Sequence, residues 1–433
     1  MIRALSPLQP LPLTSFQSPL RAPSSLPHLS IFGSDQLHIS RSLKAQEGPP
    51  NLNAFKVEQA KLEHESPSLA QLPDFKTTPL RIGLETDQKL ARFQLSQGQL
   101  KVQAPDGSIT LLDAQQGDFE VQAIEGGFKL KHEGKDLGNF KGKLTIENQA
   151  NTMVINGQIY RGHLEIMPSP GNPFSFHVIN PVLLEDYLLS VVPSESPASW
   201  PLESLKAQAL AARTYAVANW GKHGANGFDM KDDTSDQMYR GVVTEHPGPS
   251  EAVKATAHQI ISHNGKPINA LFFSCSGGMT DSSQEVWGVE LPYIQPVPDF
   301  DQAAPRYRWS LRKSQSDLQQ AANKLGIDVG QIREIKPLSF TPQGRVKRLQ
   351  IIGSTGSAEV DSNKFRFAAG LYSTFWKVSA SGSGAQRQFV FNGGGWGHGL
   401  GMSQYGARQM AADGKSAEEI IRHYYQNIEL QSL

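Results

Sequence analysis

The chain has 433 residues, which is long enough for two or three domains and a sizeable hydrophobic core. Lys plus Arg number 41 and so do Asp plus Glu, so the balanced charge gives no global field that would attract nucleic acid or an acidic surface. The single cysteine, Cys275, excludes an intrachain disulfide and means that a zinc site would have to use His and carboxylate ligands.

The N-terminal stretch is rich in Pro, Ser, Leu and Gln and has little periodicity. Such a composition buries too little apolar surface to offset the entropy of ordering, so residues 1–75 are predicted to be a disordered leader and linker, with at most a short helix over 53–64. No run of about 18 apolar residues occurs, which predicts no transmembrane helix. Prolines interrupt residues 1–30 too often for the apolar segment of a signal peptide.

From Leu80 the sequence changes to short alternating runs that are separated by Gly, Asn and Asp. This pattern is typical of antiparallel strands. Asn156-Gly157 is a strong signal for a two-residue hairpin between two such runs. The predicted strands lie at 80–84, 99–104, 119–124, 128–132, 143–148 and within 153–168.

Two helices are predicted in the middle of the chain. The first spans 181–192, where leucines and a tyrosine repeat on one stripe, and the second spans 201–221, beginning with a proline in its first turn. Between them, Glu195 is predicted to lie in a short loop that Pro193 and Pro197 stiffen. The many alanines of the second helix predict that it is buried on most sides.

The remainder of the chain mixes both element types. Ser250 is predicted to cap a helix that contains Ala252, Val253, Ala257, Ile260 and Ile261. The other predicted elements are a loop at 227–240, an apolar strand at 268–274, a helix at 315–326, a strand pair at 331–340 and 346–353, and helices near 402–412 and 416–426, the last with a capping box of Ser416 and Glu419. The predicted fold class is α+β, with a β-rich lobe over about 76–178 and a helical part over about 179–433.

Glu195 is the first candidate for chemistry. An acid that donates a proton at neutral pH needs a dry pocket that favours its neutral form, and Trp200, Val191 and Val192 could form the apolar wall. The positive end of the helix that starts at Pro201 would act in the opposite direction, because it favours the anion. An ordinary carboxylate at a helix start is the alternative interpretation.

The second helix carries four polar side chains, Lys206, Gln208, Arg213 and Tyr215. They would be unremarkable on a solvated face. On a buried helix, however, an arginine needs a fixed partner because an unpaired buried charge is costly. The expected partner is Glu195 or one of the acids within 229–236.

Two further clusters have a structural and a functional interpretation. The four aspartates within 229–236 match no twelve-residue calcium loop, so a solvated acidic loop is favoured. A nucleophile is conceivable at 274–278, with Cys275 or a flanking serine attacking and His398 as the base. No G-x-S-x-G motif is present, and a small buried thiol is favoured at Cys275.

The stretch GGGWGHGLGMSQYG at 393–406 is unusually rich in glycine. It contains G-x-G fragments but follows no βαβ unit, so dinucleotide binding is disfavoured. Glycines that alternate with Trp396, His398, Gln404 and Tyr405 suit a loop whose backbone approaches a ligand closely, such as a carbohydrate. A tight structural turn is the alternative.

Four long stretches together carry a resemblance: LEDYLLSVVPSESPASWPLESLKAQALAARTYA, FFSCSGGMTDSSQEVWG, LPYIQPVPD and GGGWGHGLGMSQYGARQMA. They resemble the stage II sporulation protein D family, which includes amidase enhancer proteins, over roughly residues 80–430. Members of that family act as lytic transglycosylases on peptidoglycan glycan strands and prefer strands that have lost their stem peptides. The resemblance implies this activity and an extracytoplasmic location, in the cell wall or periplasm. It also implies an amidase or another wall hydrolase as a partner, and a non-catalytic enhancer of such an amidase as the alternative function.

The resemblance also implies roles for individual residues. The family's catalytic Glu lies in its V-V-P-S-E motif, here 191–195, so Glu195 is expected to protonate the glycosidic oxygen and then to accept the proton of the muramic acid C6 hydroxyl. A single acid suffices for this reaction, unlike the paired acids of glycoside hydrolases. The predicted substrate-binding residues are Gln208, Arg213, Tyr215, Gln237, Tyr239, Ser274, Ser276, Trp396, His398, Gln404 and Tyr405.

One departure from the family concerns metal binding. Some members carry a zinc site with Cys and His in the stretch that corresponds to 228–237. Here the matching positions hold Lys231, Ser235 and Asp236, which do not form a cage of thiolates and imidazoles. We therefore predict no zinc and no other cofactor, with hydrogen bonds among Lys231, Asp236 and Arg240 in its place.

Overall fold

A computed structural model of the protein describes residues 66–95, 98–114, 116–148 and 151–433. These segments contain many strands and several helices, and the predicted α+β class is confirmed. Residues 1–65 of the predicted leader, including the predicted helix over 53–64, lie outside the described residues. Phe75 packs in the first hydrophobic core, so the folded part begins before residue 76.

The first part of the described chain is built of strands that form two sheets. The strands are β1 (Leu80–Gln88), β2 (Leu90–Leu95), β3 (Gly98–Gln103), β4 (Ile109–Ala114), β5 (Gly117–Ile124), β6 (Gly127–His132), β7 (Lys135–Lys141), β8 (Lys143–Asn148), β9 (Thr152–Ile155), β10 (Gln158–Arg161), β11 (Leu164–Pro168), β12 (Phe176–Val182) and β13 (Met230–Lys231). One sheet has the order β13-β1-β12-β11-β8-β3-β4 and the other β10-β9-β2-β5-β6-β7. The pairing is antiparallel except between β1 and β13.

Local signals account for most of these strands. The hairpin predicted at Asn156-Gly157 is confirmed, because both residues have positive φ and connect β9 to β10. Sequence reasoning missed β2, β4, β7, β12 and the short β13. Strand β12 is buried along its whole length, so it lacks the alternation that marks a half-exposed strand.

The helices begin after β12. They are α1 (Leu184–Glu195), α2 (Leu202–Ala218), α3 (Pro247–Ala255), α4 (Ser283–Trp287), α5 (Gln315–Lys324), α6 (Ser362–Ala369), α7 (Gln404–Ala412) and α8 (Ala417–Tyr424). The first predicted helix therefore starts at residue 184 and not at 181, because residues 181 and 182 still pair with β1. The predicted boundary at 178/179 falls inside β12.

Helix α2 lies in the interior, as predicted from its alanines. Fourteen of its 17 residues are buried, which leaves almost no solvated face. Pro201 precedes the helix as its N-cap residue and is not its first helical residue. Small side chains let neighbouring elements approach closely, so α2 forms the axis around which the helical part packs.

Arg213 in α2 requires hydrogen-bond acceptors within the protein, because its guanidinium is completely buried. Its Nε and Nη2 donate to the two carboxylate oxygens of Glu185 in α1, each at 2.8 Å. The remaining N–H groups donate to Thr256 Oγ1 at 3.3 Å and to the carbonyl oxygens of Gln259 and Val253 at 3.3 and 3.2 Å. One side chain thus connects α1, α2 and the end of α3.

The expected partner of Arg213, Glu195 or an acid within 229–236, is therefore wrong. Glu185 lies in the first turn of α1, and that turn packs beside α2. Sequence patterns offer no means of choosing Glu185, because the choice depends on how two helices pack and not on their spacing along the chain.

The later strands form four small sheets. The strands are β14 (Gln259–His263), β15 (Lys266–Pro267), β16 (Phe272–Phe273), β17 (Trp309–Ser314), β18 (Ile332–Phe340), β19 (Val346–Gly353), β20 (Ser357–Asp361), β21 (Trp376–Ser381), β22 (Gln388–Gly393), β23 (Met402–Ser403) and β24 (Glu429–Ser432). The sheet orders are β15-β14-β24, β16-β23, β17-β22-β21 and β18-β19-β20. The predicted strand at 268–274 is reduced to β16.

The helix predicted to run from Ser250 to Ile261 is wrong in its second half. Helix α3 begins at Pro247 with His246 as the N-cap, and the chain turns at His258, whose φ is 62°. Ile260 and Ile261 then belong to β14, which pairs with β24. Because β24 lies at the far end of the chain, local periodicity could not reveal the strand.

A second hydrophobic core is formed by residues between Trp309 and Phe391. The predicted helix over 315–326 is confirmed as α5, and the predicted strand pair is confirmed as β18 and β19. Sequence reasoning missed α6 and the sheet β17-β22-β21. These strands are short and carry exposed polar residues, which weakens their pattern.

Helices α7 and α8, which precede the final strand β24, were both predicted. The capping box is confirmed, since Ser416 Oγ accepts the Glu419 N–H at 3.3 Å and the Glu419 carboxylate accepts the Ser416 N–H at 2.9 Å. Within the described segments, no helix combines the length and the apolar character needed to cross a membrane.

The Arg213 network predicts a large stability difference between two conservative substitutions. Arg213→Lys removes the bidentate pairing and leaves the half-buried Glu185 carboxylate and two carbonyls short of donors, so the free energy of unfolding should fall by about 3 kcal/mol. Arg92→Lys is the control, because Arg92 pairs with Glu120 on the surface and should change little. Chemical denaturation measures both, and equal effects would contradict the central role of Arg213.

Candidate active site

Glu195 is the last residue of α1 and does not lie in a loop. The helix continues through Pro193, and Ser196 ends it with an extended backbone. The predicted stiff loop is therefore wrong for Pro193, although Pro197 does follow the helix. The position also reverses the expected electrostatics, because the C-terminal end of a helix carries partial negative charge and disfavours a carboxylate anion.

The Glu195 carboxylate is half-buried and held by the main chain of another segment. Its Oε1 accepts a hydrogen bond from the Met238 N–H at 2.9 Å. Met238 lies between Gln237 and Tyr239, both of which are buried and bonded within the fold. The backbone donor fixes the orientation of the carboxylate and favours its anion, which opposes the effect of the helix end.

Buried tyrosines form the wall behind Glu195. Tyr187 OH donates to Gln237 Oε1 at 3.2 Å, and Gln237 Nε2 donates to the Ala212 carbonyl at 3.2 Å. Burial raises the pKa of Tyr187 and of Tyr215 well above the usual value, and the negative charges of Asp236 and Glu195 add to the shift. Both phenols are therefore neutral at every physiological pH.

Tyr239 is also part of this wall. Its OH donates to Asn180 Oδ1 at 2.8 Å, and its ring packs between those of Tyr160 and Tyr187, with centroids 5.5 and 4.9 Å away. Of the predicted substrate-binding residues, Tyr215, Gln237 and Tyr239 thus lie on the inner side of Glu195. Their polar groups form hydrogen bonds inside the fold, and they hold in place the segment whose Met238 N–H contacts Glu195.

The segment after Glu195 contacts a different group of predicted site residues. Ser196 Oγ and Gln404 Nε2 both donate to Gln208 Oε1, at 3.3 and 3.4 Å. Gln208 Nε2 is buried and has no hydrogen-bond partner among the described residues. The structure therefore brings Gln208 and Gln404, which are far apart in sequence, to the residue next to Glu195.

An aromatic pair lies beside these amides. The rings of Trp200 and Tyr405 meet edge to face with centroids 5.0 Å apart, and the Arg408 guanidinium lies 5.8 Å from the Trp200 ring. The Tyr405 N–H donates to the Ser274 carbonyl at 3.0 Å. Trp200, Tyr405 and Ser274 are all partly exposed, so a ligand can reach them.

Three further predicted site residues stabilise the glycine-rich segment: His398, Ser276 and Trp396. His398 Nδ1 accepts the Leu400 N–H at 3.0 Å, and its Nε2 lies 3.2 Å from the Phe272 carbonyl oxygen, which assigns the ring proton to Nε2. Ser276 is fully buried and its Oγ donates to Asp301 at 3.3 Å. The Trp396 backbone pairs with that of Cys275.

Cys275 is a buried thiol, as predicted. Burial raises the pKa of Cys275 to about 12, with a smaller contribution from the charge of Asp301. The thiolate that a nucleophile requires is therefore not populated at neutral pH. Because both nitrogens of His398 contact backbone groups, the alternative of a Cys275/His398 hydrolase has no geometric support.

The loop at 227–240 is not a solvated acidic loop, because Asp229 and Asp236 are buried. Asp236 Oδ1 accepts from Lys222 Nζ at 2.6 Å and from Tyr215 OH at 3.1 Å. Its Oδ2 lies 2.9 Å from His223 Nε2 and accepts the Lys231 N–H at 2.9 Å. The loop thus folds around a buried carboxylate that is paired with a lysine.

This cluster confirms part of the predicted hydrogen bonding. Lys231 does bond to Asp236, through its backbone, but the Arg240 N–H donates to Ser190 Oγ at 3.0 Å. Sequence reasoning missed Lys222 and His223, which follow α2 and look like an ordinary polar turn. In the described part of the chain, no three His, Cys, Asp or Glu side chains are grouped as a metal site. The absence of zinc stays a prediction.

The protonation of Asp236 makes the stability of the fold depend on pH. Burial by itself would raise the pKa of Asp236, but the hydrogen bond from His223 and the charge of Lys222 outweigh it, so the net pKa lies well below the usual 3.8. A carboxyl whose pKa is depressed on folding stabilises the fold above its unfolded-state pKa. This stabilisation is present at neutral pH and is lost as the pH falls below about 4.

Asp236→Asn should therefore lower the free energy of unfolding at pH 7 by about 3 kcal/mol, since it leaves the Lys222 ammonium buried without its carboxylate. The deficit should begin to shrink as the pH falls below about 4, because the carboxyl of Asp236 then binds a proton in the unfolded wild type while the folded state keeps the ion pair. Denaturant titrations from about pH 3 to pH 7 measure this difference. Asp233→Asn in the same loop is the control, because Asp233 is exposed, and a matching pH dependence there would contradict the assignment.

Comparison with known proteins adds to this geometry. The family model described as stage II sporulation protein matches residues 174–263, which contain Glu195, α2 and the loop with Met238. A second model, described as a domain of unknown function, matches residues 291–401.

Individual proteins match over longer stretches. The stage II sporulation protein D of Bacillus subtilis (strain 168) is 32% identical over 264 residues, which cover 57% of this chain and 74% of that protein. An uncharacterised protein of Brachyspira hyodysenteriae is 29% identical over 72% of this chain and 82% of its own length. An amidase enhancer of Bacillus subtilis (strain 168) is 32% identical over 57% of this chain, which spans 40% of that protein. The chain therefore belongs to the stage II sporulation protein D family.

Proposed function

We propose that this protein is a lytic transglycosylase that cleaves the glycan strands of peptidoglycan, with Glu195 as the acid and then the base. The observation that carries the proposal is the placement of Glu195. It is a half-buried carboxyl at a helix end, held by the Met238 N–H, with buried tyrosines on one side and the partly exposed Trp200 and Tyr405 on the other. Membership of the stage II sporulation protein D family supports the same choice of catalytic residue.

In the first step, Glu195 donates its proton to the glycosidic oxygen as the bond from that oxygen to C1 of the muramic acid breaks. The neutral acid is favoured by the negative end of α1 and by the apolar rings that surround the site. When the proton leaves, the Met238 N–H stabilises the carboxylate that remains. The two opposing influences on Glu195 thus serve the two states that one residue must adopt.

In the second step, the C6 hydroxyl of the same sugar attacks C1, and its proton passes to the Glu195 carboxylate. A 1,6-anhydro ring forms, and the acid is regenerated without consuming water. One carboxyl therefore suffices, whereas an inverting hydrolase needs a second carboxylate to activate water and a retaining hydrolase needs one as the nucleophile.

In this proposal, the sugar binds on the outer side of Glu195. Gln208 Nε2 is a buried donor without a partner among the described residues, and it suits a hydroxyl or acetamido oxygen of the substrate. Trp200 and Tyr405 offer apolar ring surface to the faces of sugar rings. Denuded strands in the cell wall or periplasm are the proposed substrate, and the proposed site of action is therefore outside the cytoplasm.

Glu195→Gln should abolish formation of anhydro-muramic ends from purified glycan strands, with a loss of at least about a hundredfold, because the amide cannot transfer the proton. The fold should be intact, since the amide oxygen of the substituted side chain replaces Oε1 as the acceptor for Met238. Mass spectrometry of the products and thermal unfolding measure the two effects. Glu251→Gln on the exposed side of α3 is the control. Full activity of the Glu195 variant, or products with a reducing end, would contradict the proposal.

The alternative function is a wall-binding protein that stimulates an amidase, and the similarity to a protein named amidase enhancer favours it. The two functions predict different results when the protein is incubated with glycan alone. If the protein is only an enhancer, it yields no product from glycan alone, and the Glu195→Gln variant stimulates amide-bond cleavage by an added amidase as well as the wild type does. If it is an enzyme, the glycan is cleaved in the absence of amidase.

A further inference from the structure

A groove lies in the part of the protein that surrounds the second core. It has a volume of about 520 Å³ and lies at one end of the sheet β17-β22-β21, next to the turn between β18 and β19. Its characteristic lining residues are Arg308, Ser310, Phe340, Phe375, Lys377 and Asn392. None of them belongs to the set around Glu195, and all fall within the match to a domain of unknown function.

The floor of the groove is a row of polar side chains. Asn392 in β22 pairs with Ser310 in β17 and with Lys377 in β21, so the three side chains project from the same face of the sheet. All three are exposed. The next row, Trp309 and Trp376, faces the core instead. A row of hydroxyl, amide and ammonium groups can hydrogen-bond a ligand that lies along the sheet.

The side of the groove is aromatic. Phe340, at the end of β18, is 52% exposed, which is unusual for so large an apolar side chain. Phe375 is half-buried beside it. An apolar wall beside a polar floor matches a sugar ring, which has a C–H face and a rim of hydroxyl groups.

The charge of the groove is positive. Arg308 is exposed and fixed in place, because its Nη1 donates to the carbonyls of Gly277 and Tyr307 at 2.9 and 2.7 Å and its guanidinium lies 4.0 Å from the Tyr307 ring centre. Lys377 is the second cation. Among the described residues that line the groove there is no carboxylate. An anionic ligand is therefore favoured.

We propose that this groove is a second binding site for the acidic glycan strand, in which Phe340 packs on a sugar ring and Lys377 and Arg308 pair with the free lactyl carboxylate of a muramic acid that has lost its peptide. The inference rests on the proposed function, which supplies the acidic glycan. A protein partner would more readily add a strand at a sheet edge, whereas this groove lies on a sheet face. Two contacts with one strand raise the effective concentration of the substrate at Glu195.

The test uses the full chain carrying Glu195→Gln, so that binding is measured without cleavage. Fluorescence polarisation compares end-labelled denuded glycan strands with chitooligosaccharides of the same length, which lack the lactyl carboxylate. Lys377→Glu should weaken binding of the denuded strand about tenfold and leave chitooligosaccharide binding unchanged. Phe340→Ala should weaken binding of both ligands about fivefold.

Matched controls are Lys336→Glu, an exposed lysine outside the groove, and Phe174→Ala, a phenylalanine with 55% exposure in the other part of the chain. Equal effects of Lys377→Glu and Lys336→Glu on the denuded strand would overturn the proposal. So would an equal loss for the neutral and the acidic ligand on Lys377→Glu, or displacement of the labelled strand by a free stem peptide, which carries no sugar. Because no outcome depends on product formation, a failure here is distinct from a failure of the Glu195 assignment.

Discussion

The fold of the helical part depends on the burial of one charge. Arg213 projects from a helix with almost no solvated surface, and every N–H group of its guanidinium must be satisfied by protein. Glu185 supplies two acceptors, and the end of α3 and the first residue of β14 supply the others. This requirement fixes α1 against α2, and α1 in turn delivers Glu195 to its place. The position of Glu195 therefore depends on Arg213, a residue that lies inside the fold.

Sequence reasoning succeeded where structure is local. The hairpin at Asn156-Gly157, the capping box at Ser416 and the buried character of α2 follow from turn chemistry, capping and composition. It failed where a distant segment decides the outcome. Ile260 and Ile261 form a strand because β24 returns to pair with them, and Glu185 pairs with Arg213 because two helices pack side by side.

The same limit applies to the candidate site. Glu195 could be recognised from its motif, but its donor, the Met238 N–H, carries no signal in the sequence because any residue except proline offers one. Gln208 and Gln404 could be named separately, whereas their contact depends on the return of the C-terminal helices to α2. Asp236 looked solvated because its partners, Lys222 and His223, resemble a polar turn that follows a helix.

The main-chain bond to Glu195 has a consequence for how this site can vary. A carboxylate that is oriented by a backbone donor is indifferent to the side chain at position 238, so single substitutions there, other than proline, leave the geometry unchanged. The path of the loop is what matters, and that path is set by the buried carboxylate of Asp236 two residues earlier. Insertions or deletions between these positions would displace the donor, which makes loop length, rather than residue identity, the property that the chemistry constrains.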